Sequence, residues 1–251
     1  MDASAVTLQS NCRMDSIKDI KGVIFDYGGT IDSRGTHWSE IIWDGYIHAG
    51  VKIGKEVFRE AYVYAERELA RHPHIQPTDN FYDLLYKKMV IELGYLVNLG
   101  AVDGEEVETL APAIARYCYD CARKCADEAR PVLTALGARY PMVLVSNFYG
   151  NIEAVLADFD LRNYFKDIIE SAVVGVRKPD PKIFSLGVEA LGLSPEEVLV
   201  VGDSYKKDIV PAESIGCKVA WLKGKGWTDE EDAVMHPSII KSLADLEEVA
   251  L

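Results

Sequence analysis

Acidic, hydroxyl and amide side chains follow three short apolar segments of this sequence, each at the point where the segment ends. Asp26 ends GVIFD, Ser146 and Asn147 end MVLVSN, and Asp203 ends VLVVGD. A carboxylate at the end of a buried strand is costly to desolvate, so it usually has a function. Carboxylates that converge favour a hard divalent cation, whereas hydroxyls and backbone amides favour the oxygens of a phosphoryl group.

Two charged residues extend this candidate group. Lys178 lies in GVRKPDPKIF, just ahead of a turn stiffened by proline and the start of a helix, and Asp208 lies about one helical turn after Asp203. A lysine and a helix N-terminus both attract phosphate oxygens. Each feature is common in proteins without a site, but their order along one chain is difficult to obtain by chance. Together they predict a phosphoryl group bound beside a divalent cation.

The elements that must position these residues follow a strand and helix pattern. Four segments are short, apolar and rich in β-branched residues without alternation, which predicts buried parallel strands. They comprise residues 22–26, 142–146, 198–203 and 218–222, with a weaker fifth segment at 168–174. Helical stretches alternate with the later strands, which predicts the α/β class and a Rossmann-like doubly wound parallel sheet. Ligands of such sheets collect at the carboxyl ends of the strands, where the candidate residues are expected to meet.

Helix start and stop signals lie between the later strands. Asn151 and Ser194 are predicted N-caps, and Pro181 is predicted to begin a helix that ends at Gly192. These residue types fit their positions, because Asn and Ser accept hydrogen bonds from free backbone N–H groups and Pro has none to lose.

The region from residue 34 to residue 128 has a different pattern. It has helical periodicity with aromatic-rich apolar faces and no convincing strand, which predicts four or five helices. We expect this region to form a helical cap domain inserted after the first strand, with linkers near Ser33–Gly35 and Asp127–Pro131. The α/β core is then discontinuous in sequence and comprises residues 17–33 and 129–251.

The composition limits the class of partner. The chain has 251 residues, of which 49% are hydrophobic, and a formal net charge of −13 at pH 7. This acidity argues against nucleic acid and anionic membranes as partners, and no apolar run approaches the roughly 18 residues of a membrane span. Residues 1–16 lack the features of a signal peptide and are expected to form a flexible leader. The odd number of cysteines, five, favours a reducing cytoplasm.

Several cap residues have two interpretations. Cys118, Cys121 and Cys125 share a helix face, but no nearby His or fourth Cys completes a metal set, so packing is favoured over a redox or metal site. The aromatic residues of the predicted cap are expected to form its interior more often than to line a cleft. They include Trp38, Trp43, Tyr46 and Tyr62.

The segments VIFDYGGTID, MVLVSN, GVRKPDPKIF and VLVVGDSYKKDIVPAESIG resemble those of the haloacid dehalogenase (HAD) superfamily of hydrolases. The resemblance extends from Lys21 to about Gly226 and indicates the subgroup with a helical cap inserted after the first strand. It implies a magnesium-dependent enzyme, most simply a phosphatase of small phosphorylated metabolites that forms an aspartyl-phosphate intermediate. Such a protein is expected to be a monomer or a homodimer.

The resemblance assigns roles within the first motif. Asp26 is the expected nucleophile and a metal ligand, and Thr30 is expected to orient the loop. Gly28 is expected to contribute its carbonyl to Mg²⁺, a role that needs no side chain.

The later motifs supply the remaining roles that the resemblance implies. Ser146 and the Asn147 amide are expected to bind the phosphoryl group, and Lys178 to neutralise its charge and that of the nucleophile. Asp203 is expected to bind Mg²⁺, with Asp208 as a further ligand or as support for one. The lysine and the cation are needed because a carboxylate and a phosphate dianion repel each other.

The sequence departs from the resemblance at Gly28. Most phosphatases of the family carry a second Asp two residues after the nucleophile, which protonates the leaving oxygen and then activates water. General acid–base catalysis of this kind contributes about 10²–10⁴ in rate, so its loss lowers activity without abolishing it. Asp32 is a candidate substitute acting through a water, or else a residue that caps the turn.

Alternative functions follow from the same departure. Dehalogenases and phosphonatases of the superfamily also lack the second acid. Dehalogenases need no metal, which leaves Asp203 and Asp208 unexplained, and phosphonatases form a Schiff base with a cap lysine, for which Lys52, Lys55, Lys87 and Lys88 are available. A protein of another class, a weakly active or non-catalytic phosphate-binding module, is disfavoured because the chemical residues are present together.

Overall fold

The computed structural model of the protein describes residues 19–250, and their side chains as far as residue 247. Within this range one sheet of six strands has the order β3-β2-β1-β4-β5-β6, and every neighbouring pair is parallel. The predicted Rossmann-like α/β fold is therefore confirmed. The strands are β1 (Gly22–Phe25), β2 (Met142–Ser146), β3 (Asp167–Glu170), β4 (Val198–Gly202), β5 (Lys218–Leu222) and β6 (Ile239–Ile240).

The described helices surround this sheet and fill the long segment between its first two strands. Four helices lie between β1 and β2, and we call them the helical insertion. They are α1 (Trp38–His48), α2 (Lys55–Arg71), α3 (Phe81–Asn98) and α4 (Val107–Gly137). The later helices are α5 (Ile152–Asp158), α6 (Ser171–Val174), α7 (Lys182–Leu191), α8 (Val210–Ser214), α9 (Asp229–Ala233) and α10 (Asp245–Ala250).

The sheet is covered on both faces, as its unbroken apolar strands require. Val23 and Phe25 of β1 point to one face, where the end of α4 and α5 pack, and Ile24 points to the other, where α7 packs. Successive side chains of a strand alternate between the two faces, so one apolar strand serves both cores. The connections from one strand to the next run to opposite sides of β1, with β2 on one side and β4 on the other. This arrangement leaves a crevice at the carboxyl ends of these strands.

The helical insertion differs from its predicted boundaries at one end. The first predicted linker, Ser33–Gly35, does lie in a turn, where Gly35 has a φ of +80°. The second, Asp127–Pro131, is not a break, because α4 runs without interruption from Val107 to Gly137. A continuous buried stripe on α4 packs against the core on both sides of Pro131, and this packing outweighs the missing backbone hydrogen bond. The division into core and cap domains itself stays a prediction, and the predicted leader lies outside the described residues.

Two local predictions need correction, and one strand was not predicted. The weak strand predicted at 168–174 ends at Glu170, and Ser171–Val174 forms a short helix that stops at Gly175, whose φ is +71°. Asn151 precedes α5 but does not cap it with its side chain, since its amide donates instead to the Asp79 carbonyl of the helical insertion. The two-residue strand β6 was not predicted, because it is too short to show a pattern.

No described helix combines the length and the apolar character needed to cross a membrane.

Candidate active site

The candidate nucleophile lies at the end of the central strand. Phe25, the last residue of β1, pairs with Leu144 of β2 and Val201 of β4, and the Asp26 N–H donates to the Val201 carbonyl at 2.9 Å. Asp26 is buried. Parallel register therefore brings the residues after β1, β2 and β4 to one edge of the sheet, as the sequence predicted.

A buried lysine lies between two carboxylates at this edge. The Lys178 ammonium is 2.6 Å from Asp26 Oδ1 and 2.7 Å from Asp208 Oδ1, and the lysine is only 4% exposed. Asp208 Oδ2 accepts a hydrogen bond from the Ser204 N–H at 3.0 Å, which fixes the carboxylate at the start of the turn after β4. Burial alone would lower the pKa of Lys178, but Asp208 and Asp26 raise it to about 12. The lysine therefore stays charged and orients Asp26.

A hydroxyl lies between two of the three predicted metal carboxylates. The Thr30 hydroxyl lies 3.1 Å from Asp26 Oδ2 and 3.2 Å from Asp203 Oδ1, so it can donate its proton to either. The backbone at Gly29 lies very close to Asp203, because a Cβ built on Gly29 would be 2.3 Å from Asp203 Oδ2. Gly29 also has a φ of +98°, which residues other than glycine rarely adopt. Gly29 therefore permits this approach for two separate reasons.

The three aspartates form a group with excess negative charge. Oxygen atoms of Asp26, Asp203 and Asp208 lie within 4.8 Å of one another. Burial, together with repulsion among these carboxylates, raises the pKa of Asp26 and Asp203 despite the lysine. Oxygen donors that converge in this way, with more negative charge than Lys178 balances, fit a hard divalent cation. The residues present therefore suit the magnesium ion that the sequence predicted.

The predicted phosphoryl-binding residues lie at the end of β2. Ser146 is buried there and lines the cavity above the sheet edge. The Asn147 side chain has a positioning role that the sequence did not predict: its Oδ1 accepts from the Lys178 N–H at 2.9 Å, and its Nδ2 donates to the Lys178 carbonyl at 3.1 Å. Two hydrogen bonds thus clamp the backbone of the lysine, which leaves the Asn147 backbone amide as its candidate phosphoryl donor.

Gly28 faces open space. A Cβ built on this residue has no atom within 4 Å, and its backbone is not in the left-handed region. Asp32 does not point its oxygens freely into that space: Oδ1 accepts from the Gly29 N–H at 2.7 Å and Oδ2 from the Trp38 indole at 3.0 Å. These contacts are those of a residue that holds the turn. Burial raises the pKa of Asp32 to about 8, so it also carries a proton at neutral pH.

One large cavity joins the catalytic edge to the helical insertion. Its volume is about 950 Å³, within the range of pockets that hold small organic ligands. Asp26, Ser146 and Lys178 line one end, and residues of α2 and α3 line another part. The cavity is much larger than a phosphate group, so most of it is available to the rest of a ligand.

The helical insertion contributes one charged residue that the sequence interpretation missed, Glu66, and one that it named only as an available Schiff-base lysine, Lys88. Glu66 of α2 and Lys88 of α3 line the cavity and form an ion pair, and Glu66 Oε2 accepts from the Tyr149 hydroxyl at 3.1 Å. Tyr149 lies in the loop after β2, so this hydrogen bond joins the helical insertion to the sheet. A signal was present: Glu66 and Lys88 occupy positions on the apolar stripes of their helices, where a charged residue is unusual.

The segment after β5 supplies another unpredicted wall. Trp227 lines the cavity, and its ring lies 5.6 Å from Tyr62 and 5.1 Å from His37 between ring centroids. The Arg59 guanidinium lies 4.6 Å from the centre of the same ring and donates to the Trp227 carbonyl. This segment therefore packs directly on the helical insertion.

The four aromatic residues considered in the sequence divide between the two interpretations. Trp38 and Tyr62 line the cavity, whereas Trp43 and Tyr46 pack around Phe58 inside the helical insertion. Helical spacing alone cannot separate them, because neighbouring positions of one stripe face the interior and the cleft in turn.

Comparisons with known proteins agree with the geometry. Residues 20–216 match the family model described as haloacid dehalogenase-like hydrolase. The zebrafish (Danio rerio) haloacid dehalogenase-like hydrolase domain-containing protein 3 is 34% identical over 113 residues, 45% of this chain and 46% of that protein. A glyceraldehyde 3-phosphate phosphatase of Pyrococcus furiosus is 39% identical over 64 residues, 26% of this chain and 27% of that protein. The aligned segments therefore span about half, or less, of these two relatives.

A solved structure extends the likeness to the whole fold. A dehalogenase crystal structure superimposes with a TM-score of 0.60 at 18% sequence identity, and the match covers 92% of this chain and 97% of that chain. At this identity the likeness concerns the fold alone. Because the family model covers more than half of the sequence, the chain belongs to the haloacid dehalogenase-like hydrolases.

Proposed function

We propose that this hydrolase is a magnesium-dependent phosphatase of small phosphorylated metabolites. The observation that carries the proposal is the buried Asp26 carboxylate, held by Lys178 within a group of three aspartates. A halide-releasing enzyme of the superfamily needs no metal ion, so Asp203 and Asp208 would have no cation to hold. Asp203 and Asp208 fit an enzyme that handles a phosphoryl group together with a cation.

The reaction begins with Asp26. One of its carboxylate oxygens attacks phosphorus, the bond between phosphorus and the leaving oxygen breaks, and an aspartyl phosphate forms on the side chain. In this proposal Lys178 offsets the negative charge of the entering phosphoryl group, and Ser146 and the Asn147 backbone amide bind its oxygens. Water then attacks phosphorus, the acyl phosphate bond breaks, and inorganic phosphate leaves as the Asp26 carboxylate is restored.

A magnesium ion would be held by Asp26, Asp203 and the Gly28 carbonyl, with Asp208 as a further ligand or as support through Lys178. When bound, the cation supplies positive charge that withdraws electron density from the phosphoryl oxygens and reduces their repulsion from Asp26. Thr30 donates its single hydroxyl proton to Asp26 or to Asp203, which holds the accepting carboxylate in place.

Proton transfer is the weak part of this site. Gly28 has no acid to protonate the leaving oxygen, and both Asp32 oxygens accept hydrogen bonds from the turn and from Trp38. The leaving oxygen must then take its proton from solvent. Aryl and acyl phosphates, whose leaving groups need that proton least, are expected to react much faster than alkyl phosphates.

The proposal is tested by a phosphate-release screen over a panel of metabolite phosphates and aryl phosphates, with and without Mg²⁺. We expect release that excess EDTA abolishes and added Mg²⁺ restores, and an acid quench that traps phosphate on Asp26. Equal turnover after complete metal removal would contradict the proposal and favour a metal-independent hydrolase.

One observation favours a second candidate, cleavage of a carbon–phosphorus bond. Lys88 is a buried lysine of the helical insertion that lines the same cavity, the position a Schiff-base lysine would need. Its ion pair with Glu66 opposes this role, because an amine must lose its proton before it attacks a carbonyl. Borohydride added with an aldehyde-bearing phosphonate would label Lys88 if this second candidate were correct, and we expect no label.

A further inference from the structure

The helical insertion presents one carboxylate to the cavity, that of Glu66, together with the cationic side chains of Arg71 and Lys88. Glu66 has 37% of its side chain exposed, although helices and loops surround it, so this exposed part faces the cavity that it lines. Burial alone would raise the pKa of Glu66, but the Lys88 ammonium lowers it, and the group is ionised at neutral pH. A ligand that fills this end of the cavity therefore meets a carboxylate.

The positive partner of this carboxylate is out of reach of a ligand. Lys88 is 4% exposed, its ammonium is bonded to Glu66, and it lies 4.3 Å from the centre of the Tyr62 ring. The pair is balanced in charge. An ammonium on the ligand would add a second cation beside Lys88, whereas a hydroxyl donates a hydrogen bond without adding charge. The local electrostatics therefore favour a neutral donor.

The surroundings of Glu66 suit the carbon skeleton of such a ligand. Tyr62, one helical turn earlier on α2, and Trp227 provide aromatic walls in the same cavity. Tyr149, the partner of Glu66, lies in the loop that follows Ser146, the last residue of β2. Three residues separate their Cα atoms by at most about 11 Å, so one ligand of moderate length can reach from the phosphoryl site toward Glu66.

We propose that Glu66 selects among alkyl phosphates by accepting a hydrogen bond from a hydroxyl at the far end of the leaving group, so that monophosphates of polyols or sugars are preferred over alkyl phosphates that lack such a hydroxyl. This inference rests on the proposed phosphatase function. Charge-assisted hydrogen bonds of this kind are about twice as strong as neutral ones, which makes the carboxylate a sensitive point of selection.

The test compares kcat/KM for hexitol 1-phosphate with that for hexyl phosphate, whose chain length is the same. In Glu66→Gln we expect the ratio of the two values to fall about 10- to 100-fold, the range that the loss of one charged hydrogen bond produces. Using the ratio removes the intrinsic difference in reactivity between the two esters. Glu60→Gln makes the same chemical change on the exposed side of α2 and should leave the ratio unchanged.

A second control separates recognition from packing. Tyr149→Phe removes the hydroxyl that joins the helical insertion to the β2 loop but keeps the Glu66 carboxylate, so the ratio should stay within about threefold of wild type. If Glu66→Gln does not fold, Glu66→Asp keeps the charge but withdraws it by one methylene, and the same fall in the ratio is expected.

Each contrary outcome identifies what is wrong. An unchanged ratio in folded Glu66→Gln overturns the role of Glu66. If 6-aminohexyl phosphate is preferred over hexitol 1-phosphate, Glu66 binds an ammonium rather than a hydroxyl, and the proposed substrate class is wrong. Absence of phosphate release from all three esters and from p-nitrophenyl phosphate refutes the proposed function itself, whereas release from all of them with the ratio unchanged refutes this inference alone.

Discussion

Two lysines are equally buried, one beside the sheet and one in the helical insertion. They differ in the number of carboxylates that surround them. Lys178 contacts Asp26 and Asp208, and a third carboxylate, Asp203, lies in the same group. Lys88 is paired with Glu66. The first group has an excess of negative charge, and the second is balanced. An excess of buried negative charge calls for a cation, whereas a balanced pair that borders a cavity offers a hydrogen-bond acceptor.

The sharpest test of this comparison applies the same chemical change to both regions. Asp26→Asn should lower phosphate release by at least about 10⁴-fold, because it removes the attacking group. The same variant should raise the melting temperature in EDTA, since one of three buried, mutually repelling carboxylates becomes neutral. Glu66→Gln should lower the melting temperature, because it leaves the buried Lys88 ammonium without its countercharge.

Activity and thermal unfolding would be measured on both variants with the metal removed for the melting curves. If Asp26→Asn retains ordinary turnover, Asp26 is not the nucleophile. If the two substitutions shift the melting temperature in the same direction, the two regions do not differ in charge balance as we infer.

A pair of lysine substitutions should give the next largest effect. Lys178→Met removes the charge that offsets both Asp26 and the phosphoryl group, and a loss of about 10³-fold or more in turnover of p-nitrophenyl phosphate is expected. Breaking a buried ion pair from one side also costs about 3–5 kcal/mol of unfolding free energy. Lys88→Met should cost less stability, because Glu66 borders the cavity and water can solvate it.

Urea unfolding and initial rates on the two methionine variants would measure these effects. Equal losses of turnover in Lys178→Met and Lys88→Met would show that Lys88 acts in the reaction itself. That result would support the second candidate function, carbon–phosphorus bond cleavage through a Schiff base on Lys88.

The residues of the first group could be predicted from sequence, and those of the second could not. Asp26, Ser146 and Asp203 each follow an apolar strand, and parallel pairing alone brings strand ends together. Glu66 and Tyr149 come from a helix and a loop that meet only after the helical insertion docks on the sheet. Their relation depends on tertiary packing, for which the sequence contains no short-range signal beyond a charge on an apolar stripe.

The same reasoning explains the errors in the predicted elements. The interpretation of Pro131 as a break rested on local backbone chemistry, and long-range packing of α4 overrode it. The two hydrogen bonds from the Asn147 side chain to the Lys178 backbone were not predicted, because they depend on a contact between distant parts of the chain. Local rules therefore located the site but not the contacts that hold it.

Gly28→Asp should strengthen the catalytic group at the point where it lacks an acid. The space into which the new side chain would point is open, with no atom within 4 Å of a Cβ, so the substitution should fold. Turnover of alkyl phosphates is expected to rise by about 10- to 1,000-fold, within the range for general acid–base catalysis, and aryl phosphates should gain much less. Gly29→Asp is the matched control, since its Cβ would collide with Asp203 and its φ is +98°.

Steady-state kinetics on both ester classes would check this, with a melting curve for each variant. If folded Gly28→Asp gains nothing on alkyl phosphates, another group already transfers the proton, and Asp32, with a pKa of about 8, is the first candidate.

The smallest effect concerns Glu92, the residue that decides whether the second group is truly balanced. Glu92 is fully buried on α3 and accepts a hydrogen bond from Tyr46 at 3.1 Å. Burial, with a smaller contribution from Glu66, raises its pKa from 4.5 to about 7, although Lys88 and Tyr46 oppose the shift. Between these two pH values the folded protein retains a proton that the unfolded chain has lost. The free energy of unfolding therefore falls as pH rises through this window, by up to about 3 kcal/mol.

Glu92→Gln removes that dependence, so it should stabilise the protein progressively more from pH 5 to pH 7.5. Urea unfolding at several pH values would measure it, with the exposed Glu60→Gln as control. A stability difference that does not change with pH would mean that Glu92 is ionised throughout and that Lys88 balances two carboxylates, which would make the two regions alike.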